Sequence, residues 1–313
     1  MHAAAISPRG GVSPRSTRLR GQSIIEYVLI IAVIGLVIVF AGPGVAGAIR
    51  NQFNQVTNTV DSGTDGGNFM SAEEKAYQEA MKTVVNKEAK DWTLDEQKAA
   101  ATDIAKNGTS SVVYAKAKAA MEAGTKFSAK LTNGKTLEYR IVGINHDDLA
   151  DGSGKAGMTF EATNTALGAQ RMNATQTNAG GWEQSELRGR LNSGDLWSLL
   201  PSELQSKVKT VKKMTDNKGG GTAGTPSATA DKVFLLSTTE VYGNLQSDGA
   251  QYEYYKSKGV TTSSYSGASS SYHLWTRSVY PSYSTYFRYV LSYGDYDYSN
   301  ATNTAYVFPA FSF

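Results

Sequence analysis

The sequence predicts an α+β protein assembled in sections: a long N-terminal hydrophobic helix, a small helical spacer and a strand-rich C-terminal domain. Three observations carry that expectation. An apolar run from Val28 to Phe40 follows a basic leader, apolar residues recur at helical spacing as far as Val60, and from Thr125 the period changes to two. With 313 residues the chain is long enough for a membrane segment plus one or two parts, each with its own core.

Residues 1–21 carry Arg9, Arg15, Arg18 and Arg20 and no acid, and basic flanks of this kind stay cytoplasmic. A secretory signal places its cleavage site after the apolar run, whereas Gly21 stands before it. Glu26 puts one carboxylate inside the apolar stretch, a costly position that calls for a dedicated partner. The run Gly21-Gln22-Ser23-Ile24-Ile25-Glu26-Tyr27 resembles the prepilin processing site of type IV pilins. Glu26-Tyr27 followed by a short apolar helix is similar to the Flp (type IVb) subfamily of Tad pili. The resemblance implies cleavage after Gly21 by a prepilin peptidase, passage through the cytoplasmic membrane, and a pilus at the cell surface made of copies of the same subunit. Glu26 of one subunit would then neutralise the freed Gln22 amine of its neighbour. Reference pKa values of about 7.7 for the amine and about 4.3 for the carboxylate leave both ionised at neutral pH. A plain signal anchor, with Glu26 merely near the interface, is the alternative.

Along the processed segment 22–60, Ala41-Gly42-Pro43-Gly44 bends or locally melts the helix, because proline removes a donor and clashes with the preceding turn. Val45, Ile49, Phe53, Val56 and Val60 then form one apolar stripe that wants a partner helix. At 1.5 Å per residue the segment reaches about 58 Å, more than a bilayer needs. Residues 61–70 read as a flexible connector. Within 71–124, Ser71-x-x-Glu74 and Thr93-x-x-Glu96 look like capping boxes, and a third alanine-rich stretch from Ser110 to Ala123 stops at Gly124. These three polar helices are read as a small spacer that packs against something else.

The domain 125–313 opens with Phe127, Ala129 and Leu131, then Asn133-Gly134, then Leu137, Tyr139 and Ile141, a hairpin signature. Further on, a helix from Glu183 to Asn192, a loop from Asn217 to Ala230 and a strand from Lys232 to Ser237 are expected. Landmarks recur in order: Gly180-Gly181-Trp182, Ser185-Glu186-Leu187-Arg188, Leu200-Pro201, Asp231 to Ser237, Glu240-Val241, Trp275-Thr276-Arg277-Ser278 and Pro309-Ala310-Phe311. They resemble an uncharacterised domain at the C-termini of bacterial surface proteins, itself similar to the C-type-lectin-like fold. Sugar-binding lectins, formylglycine-generating enzymes and retroelement-diversified proteins share that fold, so fold alone does not choose a function.

Most of the 18 tyrosines lie late in the chain, with serine, asparagine and aspartate between them. That is the composition of a paratope, in which tyrosine supplies rigid amphipathic contact area and the small polar residues supply adaptable hydrogen bonds. The candidate ligand-binding residues are Tyr280, Tyr283, Tyr286, Tyr289, Tyr293, Asp295, Tyr296, Asp297, Tyr298, Asn300 and Asn303, with Trp275 and Arg277 holding the loop. The alternative for any one ring is that it fills the core. The retroelement family accumulates these residue types at surface positions before an invariant end, and 280–303 has that look.

Other signatures fail on their own terms. Asp295-x-Asp297-x-Ser299 has Asn300 where a calcium loop needs glycine and Tyr306 where it needs glutamate. Asp151-Gly152-Ser153-Gly154-Lys155 lacks the first glycine of a phosphate loop. His146 and His273 are too few for a histidine metal cluster, no Gly-x-Ser-x-Gly elbow accompanies them, and there is no cysteine. The formal charge of +3 becomes about −1 without the leader's arginines, which disfavours nucleic acid as a partner. The sequence therefore points to a non-enzymatic pilin subunit without metal or cofactor, displaying an adhesin-like domain for an extracellular glycan or protein. A structural pilin with a non-binding coat and a membrane-anchored enzyme remain the alternatives.

Overall fold

A computed structural model of the chain describes residues 70–313, all within one unit. The leader, the segment 22–60 with Gln22, Glu26 and Tyr27, and Gly21 lie outside the described residues. The mixed α+β content stands. The fold class built around a long N-terminal pilin helix is corrected: among the described residues no helix is long and apolar enough to cross a membrane.

Helix α1 (Ala72–Val84) is capped by Ser71, whose side chain accepts from the Glu74 amide. In α2 (Leu94–Asn107) both halves of the Thr93–Glu96 capping box form. Helix α3 spans Tyr114–Ala123 and ends at Gly124 in the left-handed conformation; it starts later than expected because Gly108–Ser110 is a separate 3-10 turn. These helices share a core with the strands that follow them. Val84, Trp92, Ala100, Ile104, Ala117 and Met121 belong to the same hydrophobic cluster as Phe127, Tyr139 and Phe160. The small residues that make α2 look polar let it approach closely: a Cβ on Gly157 would sit 1.8 Å from the Ala101 carbonyl oxygen. Tyr139 also donates to Gln97 of α2 at 3.0 Å.

The first sheet has the order β1 (Lys126–Lys130), β2 (Thr136–Ile144), β3 (Met158–Ala162), β12 (Ala310–Ser312), β7 (Val233–Phe234), all antiparallel. The Asn133-Gly134 hairpin forms as expected, with Lys130 opposite Thr136 and Gly134 at φ +82°, a conformation suited to glycine. The C-terminal strand lies inside this sheet, between β3 and β7. Phe311 therefore packs at 5.6 Å on Phe160 and 5.2 Å on Tyr139, and Phe313 at 4.9 Å on Phe160.

The second sheet has the order β10 (Tyr296–Asn300), β9 (Tyr286–Val290), β8 (Leu274–Val279), β11 (Ala305–Tyr306), β4 (Ala169–Gln170). A two-stranded ribbon, β5 (Val211–Thr215) with β6 (Ser227–Asp231), stands apart from both. Its second strand occupies the end of the expected 217–230 loop; Ala228 and Ala230 lie on its exposed side, so the sequence there carries no apolar alternation. The expected strand 232–237 shortens to β7, because Ser237 instead caps α7 (Thr238–Tyr242) in a capping box with Glu240. Likewise Ser185 caps α4 at Glu186–Asn192, so the helix begins three residues later than expected. Short helices α5 (Asp195–Leu199), α6 (Ser202–Gln205) and α8 (Glu253–Ser257) complete the fold.

Phe311→Ala is expected to lower stability by about 3–5 kcal/mol, because it empties a fully buried site between three rings. Tyr293→Ala, at an exposed position, should change it by less than about 0.5 kcal/mol. Urea unfolding of the two variants distinguishes them, and equal losses would contradict this placement of the core.

Candidate functional site

The antiparallel hairpin of β9 and β10 sets the candidate surface. Its register pairs Tyr298 with Arg288 and Asn300 with Tyr286, so these side chains share one face, while Phe287, Tyr289, Asp297 and Ser299 lie on the other. Phe287 is fully buried on that second face; on the first face Val290 is buried too, so only its Tyr286, Tyr298 and Asn300 end is turned outward. At the hairpin tip, Gly294 has φ +99° and an added Cβ would lie 2.2 Å from the Tyr265 carbonyl. Tyr242 donates to the Gly294 carbonyl at 2.5 Å and holds the turn down.

The preceding loop, 280–286, is pinned through its backbone. Asn178, fully buried, donates to the carbonyls of Tyr283 (2.8 Å) and Tyr286 (2.7 Å), and its own carboxamide oxygen accepts from the Gly220 amide. The Tyr280 amide donates to the Tyr286 carbonyl at 2.9 Å. Four tyrosines meet as a result. Tyr298 stacks on Tyr280 with centroids 4.4 Å apart and on Tyr286 at 5.2 Å, and Tyr283 lies 5.5 Å from Tyr280 and 5.1 Å from Tyr286. Tyr283 is 50% and Tyr298 40% exposed, and with Tyr293 they are half of the large exposed hydrophobics among the described residues. None of the four phenol oxygens has a hydrogen-bond partner among the described residues. The Arg288 guanidinium sits 4.8 Å from the Tyr280 ring and 5.8 Å from that of Tyr296.

The remaining candidates are dispersed. Tyr296 leans on the buried Tyr242 at 5.3 Å, and Tyr293 lies at the turn, 6.4 Å from Tyr265. Tyr289 stacks on His273 at 5.5 Å on the inner side of the hairpin, with Asp297 opposite it in register. The Asp295 and Asp297 carboxylates each accept from the next residue's amide. Asn300 accepts from Gln176, and Asn303 donates to Ser299. Asn178 is the positioning residue that sequence reasoning missed, and no motif marks it.

Behind the hairpin runs a chain of buried charges. Arg277 of β8 grips Glu240 of α7 with two nitrogens, and its remaining donors reach Thr215, Leu235, Met214 and Asp248. Glu240 lies 2.6 Å from Lys213 of β5, and Lys213 lies 2.6 Å from Asp147, which follows β2. Asp147 in turn accepts from Thr159 (2.5 Å) and Tyr252 (2.8 Å). All four charged residues are at most 4% exposed. Burial alone would raise the Asp147 carboxyl, but Lys213 and His146 together with these hydrogen bonds bring it down to about 2. Glu240 is lowered against its own burial by Arg277 and Lys213. Trp275 is buried as well and donates to the Gln170 carbonyl at 2.8 Å.

The histidines do separate things. His146 stacks on Tyr252 at 4.0 Å and meets Glu253 at 3.1 Å; burial opposes its protonation, but Glu253 and Asp147 raise its pKa overall. His273 stays against Tyr289, and among the described residues neither ring has a serine hydroxyl as its hydrogen-bond partner. No group of three or more His, Cys, Asp or Glu side chains among the described residues is placed to hold a metal.

The geometry defines an α+β module with a polar-aromatic outer hairpin on an ion-paired frame. Residues 156–313 match the family described as Domain of unknown function (DUF6273), and the chain belongs to that family. The match starts two residues before β3, so α1–α3, β1 and β2 lie outside it while contributing to the same core. No curated protein and no solved structure matches the chain; the lectin-like and pilin resemblances rest on the sequence.

Lys213→Met should cost about 3–5 kcal/mol, because it leaves two buried carboxylates facing each other without their shared cation. A carboxyl whose folded pKa lies below its unfolded value stabilises above the unfolded value and loses that contribution as pH falls through the folded one. Asp147 and Glu96, both lowered to about 2, therefore weaken the fold between about pH 4 and pH 2. Thermal melts across that range check this, and a midpoint independent of pH would contradict it.

Proposed function

We propose that the chain is a displayed binding subunit: a prepilin-like N-terminal segment brings it to the cell surface, and the stacked tyrosine face engages an extracellular glycan or protein. The observation that carries this reading is the tyrosine quartet. Monomeric proteins rarely leave aromatic rings clustered at the surface without a partner for them, and here the rings keep their hydroxyls unpaired as well. Tyrosine in such a setting offers a ring for apolar faces and a hydroxyl for polar edges at low entropic cost.

The N-terminal half of the proposal rests on Gly21, Gln22, Glu26 and Tyr27. Processing after Gly21 by a prepilin peptidase frees the Gln22 amine, and Glu26 of a neighbouring subunit neutralises it. Diversification by a retroelement fits the same surface. The backbone of 280–286 is held by Asn178 and the hairpin by Phe287 and Gly294, so the outward side chains can change while the frame stays. A coat domain without a ligand is the rival reading.

The double variant Tyr283→Ser/Tyr298→Ser is expected to abolish retention on a glycan or host-protein array while leaving the unfolding midpoint of the full chain nearly unchanged. An intact chain that binds nothing on such arrays supports the rival. Glu26→Ala should reduce filament yield in cells, and normal filaments would contradict the assembly step.

A further inference from the structure

The arginines of the described residues differ in how their charge is met. Arg140, Arg188, Arg190 and Arg277, all buried or half-buried, each pair with a carboxylate. Arg171 is exposed to solvent. Arg288 alone among the half-buried ones has neither an ion pair nor a side-chain hydrogen bond among the described residues, and its Nε is buried with no partner. Burial lowers its pKa, with Tyr280, Tyr296, Asp248 and Asp297 only partly opposing. Arginine nevertheless stays charged, so a desolvated guanidinium with unused donors sits on the outer face, bracketed by the rings of Tyr280 and Tyr296.

A planar cation fixed on aromatic faces is already oriented for a two-pronged anion, and part of its desolvation has been met in folding. Asp297 pairs in register with Tyr289 on the opposite face of the hairpin, and both it and the buried Asp248 act on the guanidinium without forming an ion pair with it among the described residues. Beside the cation lies the Tyr280 ring of the tyrosine cluster, whose hydroxyls have no hydrogen-bond partner among the described residues. The surface therefore offers one positive charge amid several hydroxyls and ring faces. Its complement carries one anionic group on a hydroxyl-rich, partly apolar body.

We propose that Arg288 recognises the carboxylate of an acidic sugar, with the Tyr280, Tyr283, Tyr286 and Tyr298 cluster packing against the sugar ring. This deepens, and rests on, the reading of the tyrosine face as the binding surface. An acidic peptide would bring repeated carboxylates to a face with one cation, and is the poorer match.

The test immobilises sialyllactose, a glucuronic-acid disaccharide, lactose and a polyglutamate peptide, and measures retention of the full chain and its variants. The intact chain should hold at least one of the two acidic sugars in preference to lactose. Arg288→Gln should weaken that binding about tenfold or more, the effect of a lost charge-assisted hydrogen bond. Arg288→Lys should fall between, because it keeps the charge and loses the fork. Lactose held as tightly as the better-held acidic sugar, polyglutamate held in preference to both acidic sugars, or acidic-sugar binding indifferent to Arg288→Gln would each overturn the proposal. If Tyr283→Ser/Tyr298→Ser still abolishes sugar binding in that last case, the tyrosine face survives and only the role of Arg288 falls. A chain that retains none of the four probes counts against both. The unfolding midpoint of Arg288→Gln should match that of the parent, and a marked drop would make Arg288 a structural residue instead.

Discussion

Four alternating charges, Arg277, Glu240, Lys213 and Asp147, cross the interior and tie together elements from both sheets, a short helix and the ribbon. They run from β8 in one sheet, through the short helix α7 and the separate β5–β6 ribbon, to the segment after β2 in the other sheet. Asp147 extends the link to β3 through Thr159, whose hydroxyl also meets Ser312 of the terminal strand at 2.9 Å. An ion pair in such a place need not add net stability, since desolvation offsets much of the attraction. Its effect is on uniqueness: a buried charge tolerates one arrangement of partners, whereas apolar contacts tolerate many. Together with the backbone bonds of Lys212 to Asp148 and Lys209 to Ser312, the charges hold two strand layers and a ribbon in one relative placement.

That frame explains how an aromatic surface can be displayed without joining the core. Arg277 and Trp275 anchor β8 from behind, Phe287 pins β9, and Asn178 with Gly294 fixes the backbone of the flanking turns. The outward tyrosines contribute stacking among themselves and little to the packing beneath. Stability and recognition are therefore carried by different side chains on the same short strands, Phe287 and Val290 in the core and Tyr298 displayed.

Much of the fold is legible locally. The Asn133-Gly134 turn, the Thr93–Glu96 cap and the Gly124 stop depend on residues within a few positions of one another, and each forms as the sequence predicts. What the sequence hides is long-range. Lys213 and Asp147 are 66 positions apart and belong to no motif, and a lysine pair such as Lys212-Lys213 reads as solvent-exposed. The alanine-rich helices look like a polar spacer, because small residues that permit close packing on a sheet are the same ones that suit an exposed helix. The tyrosine clustering was visible as composition. Its division into four stacked rings, two rings set against neighbours such as Tyr242 and His273 and one at the turn follows from long-range packing and the hold of Asn178 on the loop, which composition does not contain.

Residues 280–303 combine an indispensable frame with a dispensable, displayed surface. Saturation substitution across that segment, together with positions 213, 240 and 277, read as folded yield of the full chain, tests it most directly. The expected result is broad tolerance at Tyr283, Tyr293 and Tyr298 and narrow tolerance at Phe287, Val290, Gly294, Lys213, Glu240 and Arg277. Tyrosine positions as intolerant as Phe287 would show that the rings belong to the core, and would contradict the account.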